Sequence, residues 1–239
     1  MKSIYPLLVV FALLPVTHAE WKPSGEGWVS LFNGKDLSGW KTPGAKHTWQ
    51  VIDGVIDYEA MGGNLATEKR YKDWELHIEW RFKRTEGRGY TATLVDGDGT
   101  PIPGPDGKPQ KKTFPNADSG IFVRGNGQSQ VNLWCWPCGS GQMWAFKGHK
   151  DPEVRKGAWP DKNADKPVGE WNAFDITLKG DTINIVNNGV TVARETRMPG
   201  IPAEGPIVLQ HHGGKNAKTG EWSSASALIQ FRNIWIREL

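Results

Sequence analysis

Apolar and polar residues alternate one by one along most of this chain, and almost no segment carries an apolar stripe at helical period. In WELHIEWRF (Trp74–Phe82), Trp74, Leu76, Ile78, Trp80 and Phe82 share one face, while Glu75, His77, Glu79 and Arg81 share the other. Period two marks a half-buried strand. TWQVIDGVIDY (Thr48–Tyr58) reads as a hairpin turned by Asp53-Gly54. Trp171–Glu195 reads as three strands joined by a Gly-Asp turn and an Asn-Gly turn. SGIFVRG, SQVNLWCW, GPIVLQHH and ALIQFRNIWIREL add further strands, and only the stretch around Asp151–Arg155 suggests a helix. Many short strands with regular turn signals predict an all-β antiparallel sandwich or jelly roll in a single domain. Residues 96–118 and 147–169 are rich in Pro, Gly and charge and have little to bury. They are expected to be loop insertions, of the kind that often serve as lids or rims.

The first residues change the picture of where the protein works. Lys2 precedes an apolar run, Ile4–Val16, that is broken by Pro6 and Pro15 and followed by Thr17-His18-Ala19. This pattern predicts a secretory signal peptide over residues 1–19, too short and proline-broken for a good spanning helix. The expected product is an exported, soluble protein, secreted or periplasmic, with no membrane span. Removing Lys2 with that segment takes the formal charge from +3 to +2. So small a charge gives no reason to expect nucleic acid as a partner. Oligomeric state leaves no mark in the sequence. The 29 Gly and 16 Pro suit many turns between short strands, and the 13 Trp suit a core or a sugar-binding surface.

Several phrases, taken in order, carry a family resemblance: GWVSLFNGKDLSGW (Gly27–Trp40), DSGIFVRG (Asp118–Gly125), GEWNAFDITLKGDTINIVNNG, LQHHGG (Leu209–Gly214) and a terminal IQFRNIWIREL. The chain resembles the DUF1080 domain, also named the 3-keto-disaccharide hydrolase or 3-keto-glucoside 1,2-lyase/3-keto-2-hydroxy-glucal hydratase domain, over residues 25–239. The resemblance implies a concanavalin-like jelly roll of two curved sheets with a site on the concave face. It also implies exported bacterial proteins that act on sugars oxidised at C3. Many members carry an acidic E-x-Q-I-x-D strand after the SGIF-R-G phrase; this chain has Gln130, Asn132 and Trp134 at those places.

A 3-keto sugar sets clear chemical demands. The ketone acidifies the C2 hydrogen, a base removes it, and the enolate expels the C1 substituent to leave a 2-hydroxy-glucal that water re-enters. A base, an enolate stabiliser and a proton donor or Lewis acid at the leaving oxygen are required. Alternation through PIVLQHHGG places Val208, Gln210 and His212 opposite the core, making His212 the first candidate for base or metal ligand. Glu79 is a second candidate for base or ligand, against the alternative of a solvated face with cross-strand charge pairs. His77, Glu79 and His212 are candidate ligands for a divalent ion, although no tight ligand motif joins them. Arg124 offers a planar fork of donors for an enolate oxygen or sugar hydroxyls. Ser119 and Gln210 are further substrate-binding candidates.

Period two through SQVNLWCW sets Gln130, Asn132, Trp134 and Trp136 on one side and Val131, Leu133 and Cys135 on the core side. Two amides and two indoles suit a sugar surface, with stacking on the rings and hydrogen bonds to the hydroxyls; the competing reading makes the tryptophans core. Cys135 and Cys138 form a CxxC, yet no βαβ pattern holds a redox motif and zinc needs two more ligands. A local disulfide and a buried thiol pair both remain open. The functional expectation is an enzyme with a 3-keto-glycoside substrate. Its rivals are a non-catalytic carbohydrate-binding module and a conventional glycoside hydrolase using Glu79 with a second acid such as Asp118.

Overall fold

The computed structural model of the protein describes residues 21–239 apart from Arg88, Ala217, Ser223 and Ser224, so the expected signal peptide at 1–19 lies outside the described residues. Two antiparallel sheets face each other. The larger has eight strands: β1 (Trp28–Ser30), β3 (Gln50–Ile52), β4 (Val55–Asp57), β6 (Trp74–Phe82), β11 (Asn172–Lys179), β12 (Thr182–Asn187), β13 (Val190–Arg197) and β15 (Ile229–Glu238). Their order is β13-β12-β11-β6-β15-β4-β3, with β1 also on β15. The smaller sheet runs β10 (Gln130–Trp134), β9 (Asp118–Phe122), β14 (Val208–Leu209), β5 (Leu65–Thr67) and β2 (Trp40–Lys41). The core lies between them. Leu76, Ile78, Trp80, Phe174, Ile176 and Phe231 from the large sheet bury against Ile121, Val131, Leu133 and Leu209 from the small one. This is the all-β jelly-roll sandwich that the alternation predicts.

The predicted turns form where expected. Asp53-Gly54 and Asn188-Gly189 both carry positive φ at their two central positions (49° and 77°; 52° and 78°), the backbone that closes a two-residue hairpin with the right twist. In β15 the alternation slips: Ile229 and Phe231 point inward, and so do Ile234 and Ile236. A bulge between Arg232 and Trp235, with Asn233 at φ 47°, absorbs the extra residue and leaves Arg232 and Asn233 both bonded to Glu79 on the outer face.

The two insertions are more ordered than their composition suggests. Residues 90–114 form a ribbon. β7 (Tyr90–Thr93) pairs with β8 (Lys111–Phe114), and the ladder continues as Leu94 N–H donates to Gln110, Gln110 to Ile102 and Ile102 to Leu94. Prolines at 101, 103 and 109 sit in isolated bridges at its tip and mask the pattern. Backbone pairing, rather than burial, holds this arm together. In the second insertion, α1 (Pro152–Gly157) starts at Asp151, whose carboxylate accepts from Glu153 N–H, and it buries Val154.

Candidate functional site

The outward face of the small sheet is polar because three strands bring amides to one place. β9 and β10 pair with Asn132 opposite Gly120 and Trp134 opposite Asp118, and Gln210 N–H donates to the Gly120 carbonyl. Gln130 Nε2 lies 3.0 Å from Gln210 Oε1 and also donates to Asn132 Oδ1 at 2.5 Å, while Asn132 Nδ2 donates to Gln142 Oε1 at 3.2 Å. Gln130, Asn132 and Gln142 are buried, so their orientations are fixed by one another. Gly120 makes this possible: a Cβ there would stand 2.9 Å from both Gln130 Nε2 and Gln210 Oε1. Gly120→Ala should therefore splay the amides and cost about 1–3 kcal/mol, read as a lower urea midpoint at unchanged slope.

Two residues along the same face from Gly120 stands Asp118, and two residues beyond Gln210 stands His212. Asp118 Oδ2 lies 3.6 Å from His212 Nε2. Burial pushes the Asp118 carboxyl up to about 6, against the pull of His212 and of Lys147. Lys147, from the second insertion, is itself shifted down by burial. A carboxylate and an imidazole thus meet in a partly dry setting suited to moving protons. The Lys147 ammonium, seated over the Trp144 ring at 2.9 Å, is near enough to pull on the carboxylate. Beside His212, His211 takes part in a hydrogen bond through Nδ1 with the Tyr58 hydroxyl, and burial shifts the His211 pKa down.

The aromatic wall borders this group. Trp136 is sandwiched, its ring stacked on Trp134 at 4.1 Å and on Tyr90 of the arm at 4.6 Å. Behind it a mainly apolar cavity of about 290 Å³ is lined by Trp80, Phe82, Trp134, Trp136 and the buried carboxyl of Asp165, which burial pushes up.

A sequence model of the 3-keto-alpha-glucoside-1,2-lyase-like domain matches residues 27–237. The chain belongs to this family. A 3-keto-disaccharide hydrolase of Bacteroides thetaiotaomicron is 28% identical to this chain over 94 residues, a match spanning 32% of each chain, so about a third of that relative's length is covered. Among solved structures, a candidate glycosyl hydrolase of Parabacteroides distasonis aligns with TM-score 0.56 and 26% identity over 89% of this chain and 84% of its own. A second candidate glycosyl hydrolase of that organism shares the fold, with TM-score 0.50 and 20% identity over 90% of this chain and 100% of its own.

This member of the 3-keto-alpha-glucoside-1,2-lyase-like family does not gather all the residues that its sequence nominates. Arg124 is the main correction. Its guanidinium is buried, donating to the carbonyls of Tyr71 (3.1 Å), Ala203 (2.5 Å) and Gly180 (3.0 Å), with Asp73 at 3.6 Å. The fork clasps loop backbone and faces no substrate. Glu79 lies on the outer face of the large sheet, 2.6 Å from Arg232 Nε and 2.8 Å from Asn233 Nδ2. Burial raises its pKa, but the hydrogen bonds from His77, Asn233 and Arg232 outweigh this and hold it at about 2. A carboxylate held so firmly ionised is a weak base, and none of its contacts is shared with His212. His77 is stacked under Trp21 at 3.7 Å, and its Nδ1 is 2.6 Å from Asp175. Burial lowers its pKa, yet Asp175 and Glu79 outweigh that and leave it raised. His77, Glu79 and His212 therefore do not form a common ligand set, and no cluster of three metal-ligating side chains occurs among the described residues.

Smaller corrections concern Ser119 and Trp134. The Ser119 hydroxyl is buried and donates to the Gln210 carbonyl at 2.9 Å, so it braces β14. Trp134 is only 2% exposed and donates its indole N–H to Gly139. It covers one face of Trp136 and Tyr90 covers the other, so neither expected indole presents a free ring face and only Tyr90 keeps one. Cys135 and Cys138 are free thiols that burial pushes up to about 12. They should resist iodoacetamide at neutral pH in the native state and react on unfolding, which mass-tagging would record. Sequence reasoning underrated Asp118, although its register with Gly120 places it on the amide face. Lys147 sits in an insertion without periodicity, so no local signal marks it.

Proposed function

We propose that the chain is a carbohydrate-active enzyme that cleaves 3-keto-glycosides by removing the C2 proton and eliminating the C1 substituent, with water able to re-enter the glucal. The family and the named relative support a glycoside-cleaving hydrolase. The observation that carries the finer reading is the Asp118–His212 pair beside the buried amide cluster and Lys147. His212, whose Nδ1 faces the Ala225 carbonyl at 3.4 Å, takes the C2 proton on Nε2 and as the imidazolium gives it to the departing C1 oxygen. Asp118 beside Nε2 balances the charge, and Lys147 supplies positive charge for the enolate oxygen. Gln210, held from behind by the buried amides of Gln130 and Asn132, binds ring hydroxyls, and Tyr90, backed by Trp136, offers its outer face to the C–H face of a sugar. The expected signal peptide makes export part of the same proposal.

The test is a product analysis by mass spectrometry of a 3-keto-disaccharide incubated with the protein. A glucal smaller than the 3-keto monosaccharide by one water is the expected early product, and incubation in deuterium oxide should label C2 of the hydrated sugar. Cleavage of unoxidised glycosides alone, or glycan affinity without turnover, would replace this reading with one of its rivals.

A further inference from the structure

A second notch, separate from the Asp118–His212 pair, opens on the outer face of the large sheet. The register brings Glu79 and Arg81 of β6 beside Ala173 of β11 and Gln230 and Arg232 of β15. Ala173 offers only a methyl group, and this leaves a hollow of about 460 Å³ lined by Arg81, Arg232, Trp171, Lys166 and the two glutamates Glu79 and Glu170. Both guanidiniums lie over the same indole: Arg232 Cζ is 4.0 Å and Arg81 Cζ 4.6 Å from the Trp171 ring centre.

Their remaining bonds fix how they point. Arg81 spends Nε on Gln230 (2.8 Å) and Nη1 on the Gly169 carbonyl (3.2 Å). Arg232 spends Nε on Glu79 (2.6 Å). Among the described residues, Arg81 Nη2 and both Nη atoms of Arg232 make no hydrogen bond within the protein, and none of them is a buried orphan. Of the acids nearby, Glu79 and Asp57 are already engaged, and Glu170 stands exposed at the rim of the hollow. Glu79 is bonded by Arg232 and Asn233, and Asp57, reached through Gln230, is paired with Lys83 at 2.9 Å. Two like charges are thus held side by side with donor edges unspent, and each repels the other unless an anion joins them. A carboxylate or sulfate fits such planar forks. The hollow is several times larger than a bare sulfate and falls within the range that holds a ring-bearing ligand.

We propose that this notch binds a sugar bearing an oxyanion, either a uronate carboxylate or a sulfate ester, at a site distinct from the Asp118–His212 centre. The site does not depend on the elimination chemistry. It would let the protein hold an acidic glycan on the large sheet while the small sheet faces a substrate.

Isothermal titration of the full chain with methyl glucuronide, glucose 6-sulfate, methyl glucoside and sodium sulfate decides the matter. One or both charged sugars should bind at least about tenfold more tightly than methyl glucoside, the scale expected of one charge-assisted hydrogen bond. Glucuronide alone would identify the carboxylate, and the sulfated sugar alone the ester. Arg81→Gln should weaken that binding about tenfold and leave turnover of a 3-keto-glucoside unchanged. Arg232→Lys, which keeps a cation beside Glu79 but removes the fork, should weaken it similarly and decides the question should Arg81→Gln fail to fold. Equal affinity for methyl glucoside, equal affinity for sodium sulfate, absence of binding, or indifference to substitution in a folded variant would each overturn the proposal.

Discussion

Arg124→Ala should be a folding defect before it is anything else. Three backbone carbonyls from separate loops, at Tyr71, Gly180 and Ala203, accept hydrogen bonds from one buried guanidinium. Truncation leaves those carbonyls unpaired and Asp73 without its cation. Losing one member of such a buried, charged cluster costs about 3–5 kcal/mol. For a domain of this size that lowers the melting temperature by roughly 6–20 °C. Arg124→Lys should recover part of the loss, since it keeps the charge but reaches fewer acceptors. Thermal unfolding followed by circular dichroism separates the outcomes. A variant that unfolds like the parent but lacks turnover would return Arg124 to the substrate.

Asp118→Asn should show the opposite signature. The amide cannot balance an imidazolium, so kcat is expected to fall about 10²–10³-fold, the usual scale for a misplaced general base. His212→Ala should fall at least as far. In the parent, the rate should drop as pH falls through about 6, where Asp118 gains its proton, and the asparagine variant should lose that inflection. Stability moves the other way. The folded state raises the carboxyl above its ordinary value because burial favours the neutral form, so the folded chain binds the proton more tightly than the unfolded one. Ionised Asp118 therefore weakens the fold progressively as pH rises from about 4 to about 6. The asparagine variant should melt higher than the parent above that window and equal it below. Activity lost with stability kept or gained marks a group maintained for chemistry; a joint loss of both would make Asp118 structural.

Much of the fold is legible in period two alone. The faces of Trp74–Phe82, the Asp53-Gly54 and Asn188-Gly189 turns and the strands around Ile121, Leu133 and Leu209 follow from alternation and turn chemistry. The arm at 90–114 does not, because prolines interrupt its pattern and its order comes from backbone pairing. The site is legible in part. Facing is right for Gln130, Asn132, Gln210 and His212, since strand register carries it. It says nothing about which sheet a polar face belongs to, and that is why Glu79 and His212 part company. Arg124 follows the end of β9 at Phe122, where alternation stops being informative and loop carbonyls claim the guanidinium. Trp134 satisfies the facing rule and is still covered, because a neighbouring indole lies on top of it.

The placement of β15 has a consequence for how the chain reaches its native state. It occupies an interior position in the large sheet and pairs with β6, whose residues lie about 150 positions earlier in the sequence, as well as with β4 and β1. Until residues 229–238 are available, β6 and β4 each present an open hydrogen-bonding edge to solvent. Acquisition of structure must then be late and non-local, on the slow side for small domains, with a premature chain prone to sticking to its copies. Closure of the large sheet at its centre therefore waits on contacts about 150 positions apart, the kind of pairing whose loop-closure cost must be met before it rewards the fold.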